Sequence, residues 1–116
     1  MLNFTGALKV FVAVQAADLR KSFAGLYAMT ANILKERPES GGLFVFTNQR
    51  RNRVKILYWD GTGFWVMTKR LERGTFSWPT AAGETDGKLL LRPEALALLL
   101  DGVDLRHGSL RPWYQR

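Results

Sequence analysis

The sequence predicts an α+β fold, a single domain in which a mostly antiparallel β-sheet meander is covered by two α-helices. Three observations carry this. The chain has 116 residues, 47% hydrophobic and 23% charged, which is the size and composition of one globular domain. Short runs rich in β-branched and aromatic side chains, separated by polar or glycine-bearing turns, fill residues 43–78. Apolar residues at helical spacing occur before and after this stretch, over about residues 22–36 and 93–101.

The first element is a strand around Val10, Phe11, Val12 and Val14. The apolar run at 7–14 has no preceding Lys or Arg and is interrupted by Lys9, so it is read as a strand and not as a signal peptide. Asp18 and Ser22 are both candidate N-caps for the helix that follows. Phe23, Leu26, Tyr27, Ile33 and Leu34 form its apolar face, and Pro38 with Gly41-Gly42 stops it. Gly25 weakens that helix and suits close packing on a sheet.

The meander follows: strands at 43–47, 54–59 and 64–70, and a short fourth at 75–78 that ends at Pro79. Asp60-Gly61-Thr62-Gly63 is a tight turn, which pairs Trp59 with Phe64. Leu57, Trp59, Phe64 and Val66 then share one face, and Ile56, Tyr58, Trp65 and Met67 the other. Both faces are apolar, so the sheet needs cover on both sides. Phe44, Phe46, Ile56 and Val66 are expected inside, Arg50 and Arg51 outside. Residues 80–87 read as a mobile loop and Lys88–Leu91 as a further strand. Pro93 opens the second helix, whose stripe is Leu96, Leu99 and Leu100 and whose stop is Asp101-Gly102. The domain is taken as 1–116, with its core over about 9–104 and a basic tail at 105–116.

Charge narrows the function. Seventeen basic and ten acidic residues give +7, and residues 41–79 alone carry seven basic and two acidic side chains, net +5. Such a balance favours an anionic partner, nucleic acid or an acidic protein face. The absence of cysteine excludes a disulfide framework, a thiolate metal site and a cysteine nucleophile; one histidine, His107, excludes a multi-histidine metal site within the chain. No cofactor loop of the Gly-x-x-x-x-Gly-Lys or Gly-x-Gly-x-x-Gly type is present. No apolar stretch approaches the roughly 20 residues that span a bilayer, so no membrane partner is expected.

Two turns concentrate the positive charge: Arg50-Arg51-Asn52-Arg53, extended by Lys55, and Lys69-Arg70-Leu71-Glu72-Arg73. Arginine presents a planar fork that matches phosphate oxygens. The Asp60 turn is at the other end of the second meander strand, so strand direction returns the Lys69–Arg73 turn to the Arg50 end. Arg50, Arg51, Arg53, Lys55, Lys69, Arg70 and Arg73 are therefore the expected nucleic-acid-binding set. A solvated turn is the plainer reading of each. Aromatics interleaved with the charge, Trp113 in the tail above all, suit base stacking as well as an ordinary core. Asp18, Asp60 and Glu72 lack the clustering that metal-dependent cleavage needs, and no catalytic residue is expected.

Four ordered motifs resemble a known family. Asp18-Leu19-Arg20-Lys21-Ser22-Phe23-Ala24-Gly25-Leu26 resembles its Asp-Met-Arg-Lys-x-x-x-Gly-Leu opening, and Gly42-Leu43-Phe44-Val45-Phe46 its Gly-x-Leu-Phe-Val-Phe strand. Arg53-Val54-Lys55-Ile56-Leu57-Tyr58-Trp59-Asp60-Gly61 is similar to its Arg-x-Lys-x-Leu-x-Trp-Asp-Gly core. Lys69-Arg70-Leu71-Glu72-Arg73-Gly74-Thr75-Phe76-Ser77-Trp78-Pro79 is similar to its Lys-Arg-Leu-Glu-x-Gly-x-Phe-x-Trp-Pro signature. The family is the small TnpB-type accessory protein of bacterial insertion sequences, encoded beside a separate DDE-type transposase; the much longer RNA-guided nuclease of the same name is a different protein. Ala17 stands where proline is frequent, and Arg37-Pro38-Glu39-Ser40 replaces a usual Asp-Pro-x-Ser form.

The resemblance implies a role in transposition in the bacterial cytoplasm without strand-transfer chemistry of its own. Two partners follow as expectations: DNA, at element ends or in the donor or target duplex, and the DDE-type transposase or a host factor, for which the chain would be an adaptor. An apolar second sheet face is compatible with a homodimer.

Overall fold

The Asp60 turn sets the register of the sheet. In a computed structural model, which describes residues 8–79 and 87–102, Asp60 Oδ1 accepts from the Thr62 and Gly63 N–H groups at 2.8 and 3.0 Å and from the Thr62 hydroxyl at 2.9 Å. Asp60 Oδ2 accepts from the Trp65 indole at 2.7 Å. Gly61 takes the left-handed φ of +102° that the turn requires. These bonds pair Trp59 with Phe64, and the alternation expected from sequence follows.

The strands are β1 (Val10–Ala13), β2 (Leu43–Thr47), β3 (Arg53–Trp59), β4 (Phe64–Arg70) and β5 (Lys88–Leu91). Their order across the sheet is β4-β3-β2-β1-β5. β1 runs parallel to β2 and antiparallel to β5; the other pairs are antiparallel. The parallel pair needs a crossover, and the helix α1 (Phe23–Asn32) supplies it.

One face buries Val10, Val12, Leu43, Val45, Ile56 and Leu91 beneath the helix α2 (Pro93–Leu100), whose Ala95, Leu96 and Leu99 point inward. The other face buries Phe44, Phe46 and Leu57 beneath Leu26 of α1 and Leu34 just beyond it. Phe44, Phe46 and Ile56 are buried as expected. Val66 is not: it is 38% exposed. Phe23 and Tyr27 of α1 pack on β4 at Phe64, through rings 5.1 and 5.8 Å apart, two residues short of Val66.

α1 is shorter than the periodicity suggests. Lys35 adopts a left-handed φ of +56°, and Glu36 N–H turns back to the Thr30 carbonyl at 3.1 Å, so the chain leaves the helical path before Glu36. Neither candidate cap bonds the helix through its side chain: Ser22 is the N-cap residue without such a bond, and Asp18 bonds Arg20 instead. The tight approach at Gly25 is also different from that expected. A β-carbon there would lie 2.4 Å from Lys21 Cβ, so the glycine accommodates the preceding turn and not the sheet.

Residues 75–78 are not a strand. They form a strap across the α2 side of the sheet, in which Phe76 and Trp78 are 2% and 3% exposed. Phe76 N–H donates to the Arg51 carbonyl at 2.6 Å, and the Trp78 indole donates to the Ala13 carbonyl at 2.8 Å. The strap thus starts at the β2–β3 turn and ends on β1. Most of the 80–87 loop and the tail from 103, with His107 and Trp113, lie outside the described residues.

Candidate nucleic-acid interface

The β2–β3 turn is built around Asn48. Its side-chain oxygen accepts from the Asn52 and Arg53 N–H groups at 3.1 and 3.2 Å, and its amide donates to Asn52 Oδ1 at 2.7 Å. Arg51 N–H closes the turn on the Asn48 carbonyl at 3.0 Å. Arg51 holds φ at +56°, a conformation that costs a non-glycine residue about 1–2 kcal/mol. The asparagine bonds thus fix a turn whose Arg50, Arg51 and Arg53 are all exposed.

The second basic turn is joined to the first. Arg70 is directly opposite Arg53 in the β3–β4 ladder. Leu71 N–H donates to the Asn52 carbonyl at 2.9 Å, and Phe76 N–H to Arg51 as above. Arg73 is therefore in a loop anchored at both ends to the arginine turn. Like charges facing each other across a strand pair are unfavourable. Among the described residues, none of Arg50, Arg51, Arg53, Arg70 and Arg73 forms an ion pair with a carboxylate.

The expected set divides. Arg50, Arg51, Arg53, Arg70 and Arg73 gather at one end of the sheet. Lys55 shares the α1 face of the strand with Arg53, one alternation further in. Lys69 faces the other way, and its Nζ donates to the Leu100 carbonyl at 2.6 Å, a cation on the C-terminus of α2. It is thereby separated from the arginines.

Arg20 joins them, although its charge alone gave no reason to place it there. Ala17 N–H donates to the Thr47 carbonyl at 2.8 Å, which holds the β1–α1 connection against the end of β2. A cleft of about 480 Å³ opens there, beyond the carboxyl ends of the parallel pair, lined by Asp18, Arg20, Asn48, Gln49, Arg50 and Arg53 among others. Asp18 accepts the Arg20 fork at 2.9 and 3.0 Å and its backbone N–H at 3.0 Å. The Arg20 side-chain bonds, then its backbone N–H, hold the Asp18 carboxyl down at about 2. The signal in the sequence is the Asp-x-Arg spacing, which lets one arginine turn back on the carboxylate two residues before it. Asp60, its own carboxyl held at about 2 by the Thr62 N–H and the Trp65 indole, is at the far end of β3. The carboxylates are thus kept apart.

The molecule is a small α+β domain whose positive charge is collected at one end of its sheet. Residues 8–109 match the IS66 Orf2-like protein family, and the chain belongs to that family of insertion-sequence accessory proteins, which are associated with transposition. It is similar to the uncharacterised protein y4jC of Sinorhizobium fredii (strain NBRC 101917 / NGR234), 36% identical over 112 residues that cover 97% of this chain and 93% of that protein. It is also similar to the uncharacterised protein y4hO of the same strain, 38% identical over 100 residues, 86% of this chain and 84% of that protein. No solved structure matches the chain. Among the described residues no helix is long and apolar enough to cross a membrane.

Proposed function

We propose that this protein is a non-catalytic transposition accessory that binds duplex DNA along its phosphate backbone, through the arginine end of the sheet. The observation that carries the reading is the Arg53–Arg70 cross-strand pair, flanked by Arg50, Arg51 and Arg73, none of which is ion-paired with a carboxylate among the described residues. An anion bridging such a pair relieves the repulsion that its register imposes. Backbone contacts of this kind position a protein on DNA without reading sequence.

The test is a comparison of the parent with the Arg50→Ala/Arg51→Ala/Arg53→Ala variant on an element-end duplex and on an unrelated duplex. The expected result is a similar loss on both. If the variant binds DNA like the parent but no longer captures the DDE-type transposase in a pull-down, the arginine end is an adaptor surface instead. Neither protein is expected to nick DNA with magnesium or manganese.

A further inference from the structure

β4 is an edge of the sheet, seven residues long. In an antiparallel ladder, residues alternate between those whose N–H and C=O bond the neighbouring strand and those whose groups point away. The two ends of the β3–β4 ladder fix the phase. Asp60 N–H donates to the Gly63 carbonyl beyond one end, at 3.0 Å, and Leu71 N–H donates to the Asn52 carbonyl beyond the other, at 2.9 Å. Counting inward through the register from either end gives the same answer. Trp65, Met67 and Lys69 bond β3, whereas Phe64, Val66, Thr68 and Arg70 turn their backbone groups to the open side. Among the described residues no strand pairs with that side.

We propose that β4 pairs antiparallel with β4 of a second copy of this chain, about a two-fold axis at Met67, so that two five-stranded sheets become one. Three features point to a second copy. First, this register satisfies all four outward residues at once: Phe64 exchanges bonds with Arg70 of the other copy, and Val66 with Thr68. A shift of two residues in either direction leaves an outward residue at the end of each strand unpaired.

Second, the side chains complement one another under the same operation. Trp65 faces Lys69 of the other copy on one side of the sheet and Phe64 faces Arg70 on the other, each a cation beside an aromatic ring. Val66 faces Thr68, a β-branched pair. A parallel pairing of the two edges, in which an outward residue must face an inward one, would instead set Arg70 of one copy beside Lys69 of the other. In the antiparallel one the two Arg70 residues are about 20 Å apart along the strand direction.

Third, the exposed apolar surface is where the pairing would cover it. Trp65 is 43% and Val66 38% exposed, on a long edge strand of the kind that folded proteins ordinarily pair or shield. The opposite edge, β5, has four residues, and its Lys88 is engaged with Leu34 and Glu36. The inference rests on the edge and its register and not on DNA binding, so either reading can fail alone.

Light scattering on the eluting full chain is expected to give twice the 13.2 kDa chain mass. Val66→Pro removes an outward N–H and leaves the β3 ladder intact, and is expected to elute as a folded monomer. The chain has no cysteine, so single-cysteine variants report cleanly. On the two-fold axis the Met67 Cα atoms form a non-hydrogen-bonded pair about 4.5 Å apart, within disulfide reach. Mild oxidation is expected to cross-link M67C into a covalent dimer and to leave V66C uncross-linked. A parent that stays monomeric at its highest soluble concentration overturns the proposal, as does a dimer that neither V66P disrupts nor M67C cross-links. A monomer whose Val66 and Thr68 amides are protected from hydrogen exchange overturns it too, because the chain then covers its own edge.

Discussion

Replacing Trp78 by phenylalanine tests whether residues 75–78 are a strap or an ordinary edge strand. Trp78 is 3% exposed, and its indole N–H reaches the Ala13 carbonyl at 2.8 Å across 65 residues of sequence. Phenylalanine keeps most of the apolar contact and deletes the donor. A buried acceptor that loses its partner costs about 1–3 kcal/mol. The smaller ring forfeits roughly another 1 kcal/mol of buried area and packing. The expected loss is therefore about 2–4 kcal/mol, a large part of the 5–15 kcal/mol typical of a domain. At roughly 4 °C per kcal/mol for a chain of this length, Tm should fall by about 8–16 °C. Urea unfolding followed by far-UV circular dichroism measures the loss directly, with Arg73→Ala as the exposed control, expected within about 0.5 kcal/mol of the parent. If Trp78→Phe also stayed within that margin, the strap would not be part of the core and the reasoning would be refuted.

Three further outcomes follow from the polar geometry. Both Asp18 and Asp60 have carboxyls held at about 2, below the ordinary 3.8, so their stabilising effect is complete above pH 3.8 and is lost as pH falls from there through 2; Asp60→Asn should flatten acid unfolding in that window. The Tyr27 hydroxyl, raised above 10.0 chiefly by its 2.7 Å bond to Glu39, has the opposite sign: its contribution is complete below pH 10.0 and is lost as pH rises through the folded value, a loss Tyr27→Phe should abolish in alkaline unfolding curves. Asp18→Asn releases the Arg20 fork and should tighten duplex binding, steepening the dependence of log affinity on log salt by up to about 0.9, whereas Lys69→Ala, which removes a cation already bonded to α2, should leave that slope unchanged where Arg70→Ala reduces it by about 0.9.

Much of the fold can be read from local turn chemistry. Asp60-Gly61-Thr62-Gly63 is short enough to pair Trp59 with Phe64, and that one pairing assigns every side chain of β3 and β4 to a face. Lys69 and Arg70 are adjacent on a strand, so the same alternation already sends them to opposite faces; clustering of charge along the sequence disregards the pleat. Phe76 and Trp78 are ambiguous in the sequence for a related reason. An aromatic at every second position suits a half-buried strand and a strap equally, and only the contact with Ala13, distant in sequence, separates the two. The parallel pairing of β1 with β2 and the docking of β5 beside β1 also depend on distant contacts, which residue patterns do not carry. The cleft depends on them as well: Arg20 reaches Arg50 and Arg53 only because Ala17 is tied to Thr47.

The central claim is that the arginine end of the sheet binds the DNA backbone. A salt titration of duplex binding tests it most directly, with the parent and the Arg50→Ala/Arg51→Ala/Arg53→Ala variant measured side by side. Each phosphate neutralised contributes about −0.9 to the slope of log affinity against log salt. Three to five arginine contacts therefore give the parent a slope of about −3 to −4.5, and the variant should lose two to three units of it on any duplex sequence. A parent slope near zero, or an unchanged slope in the variant, would contradict the claim.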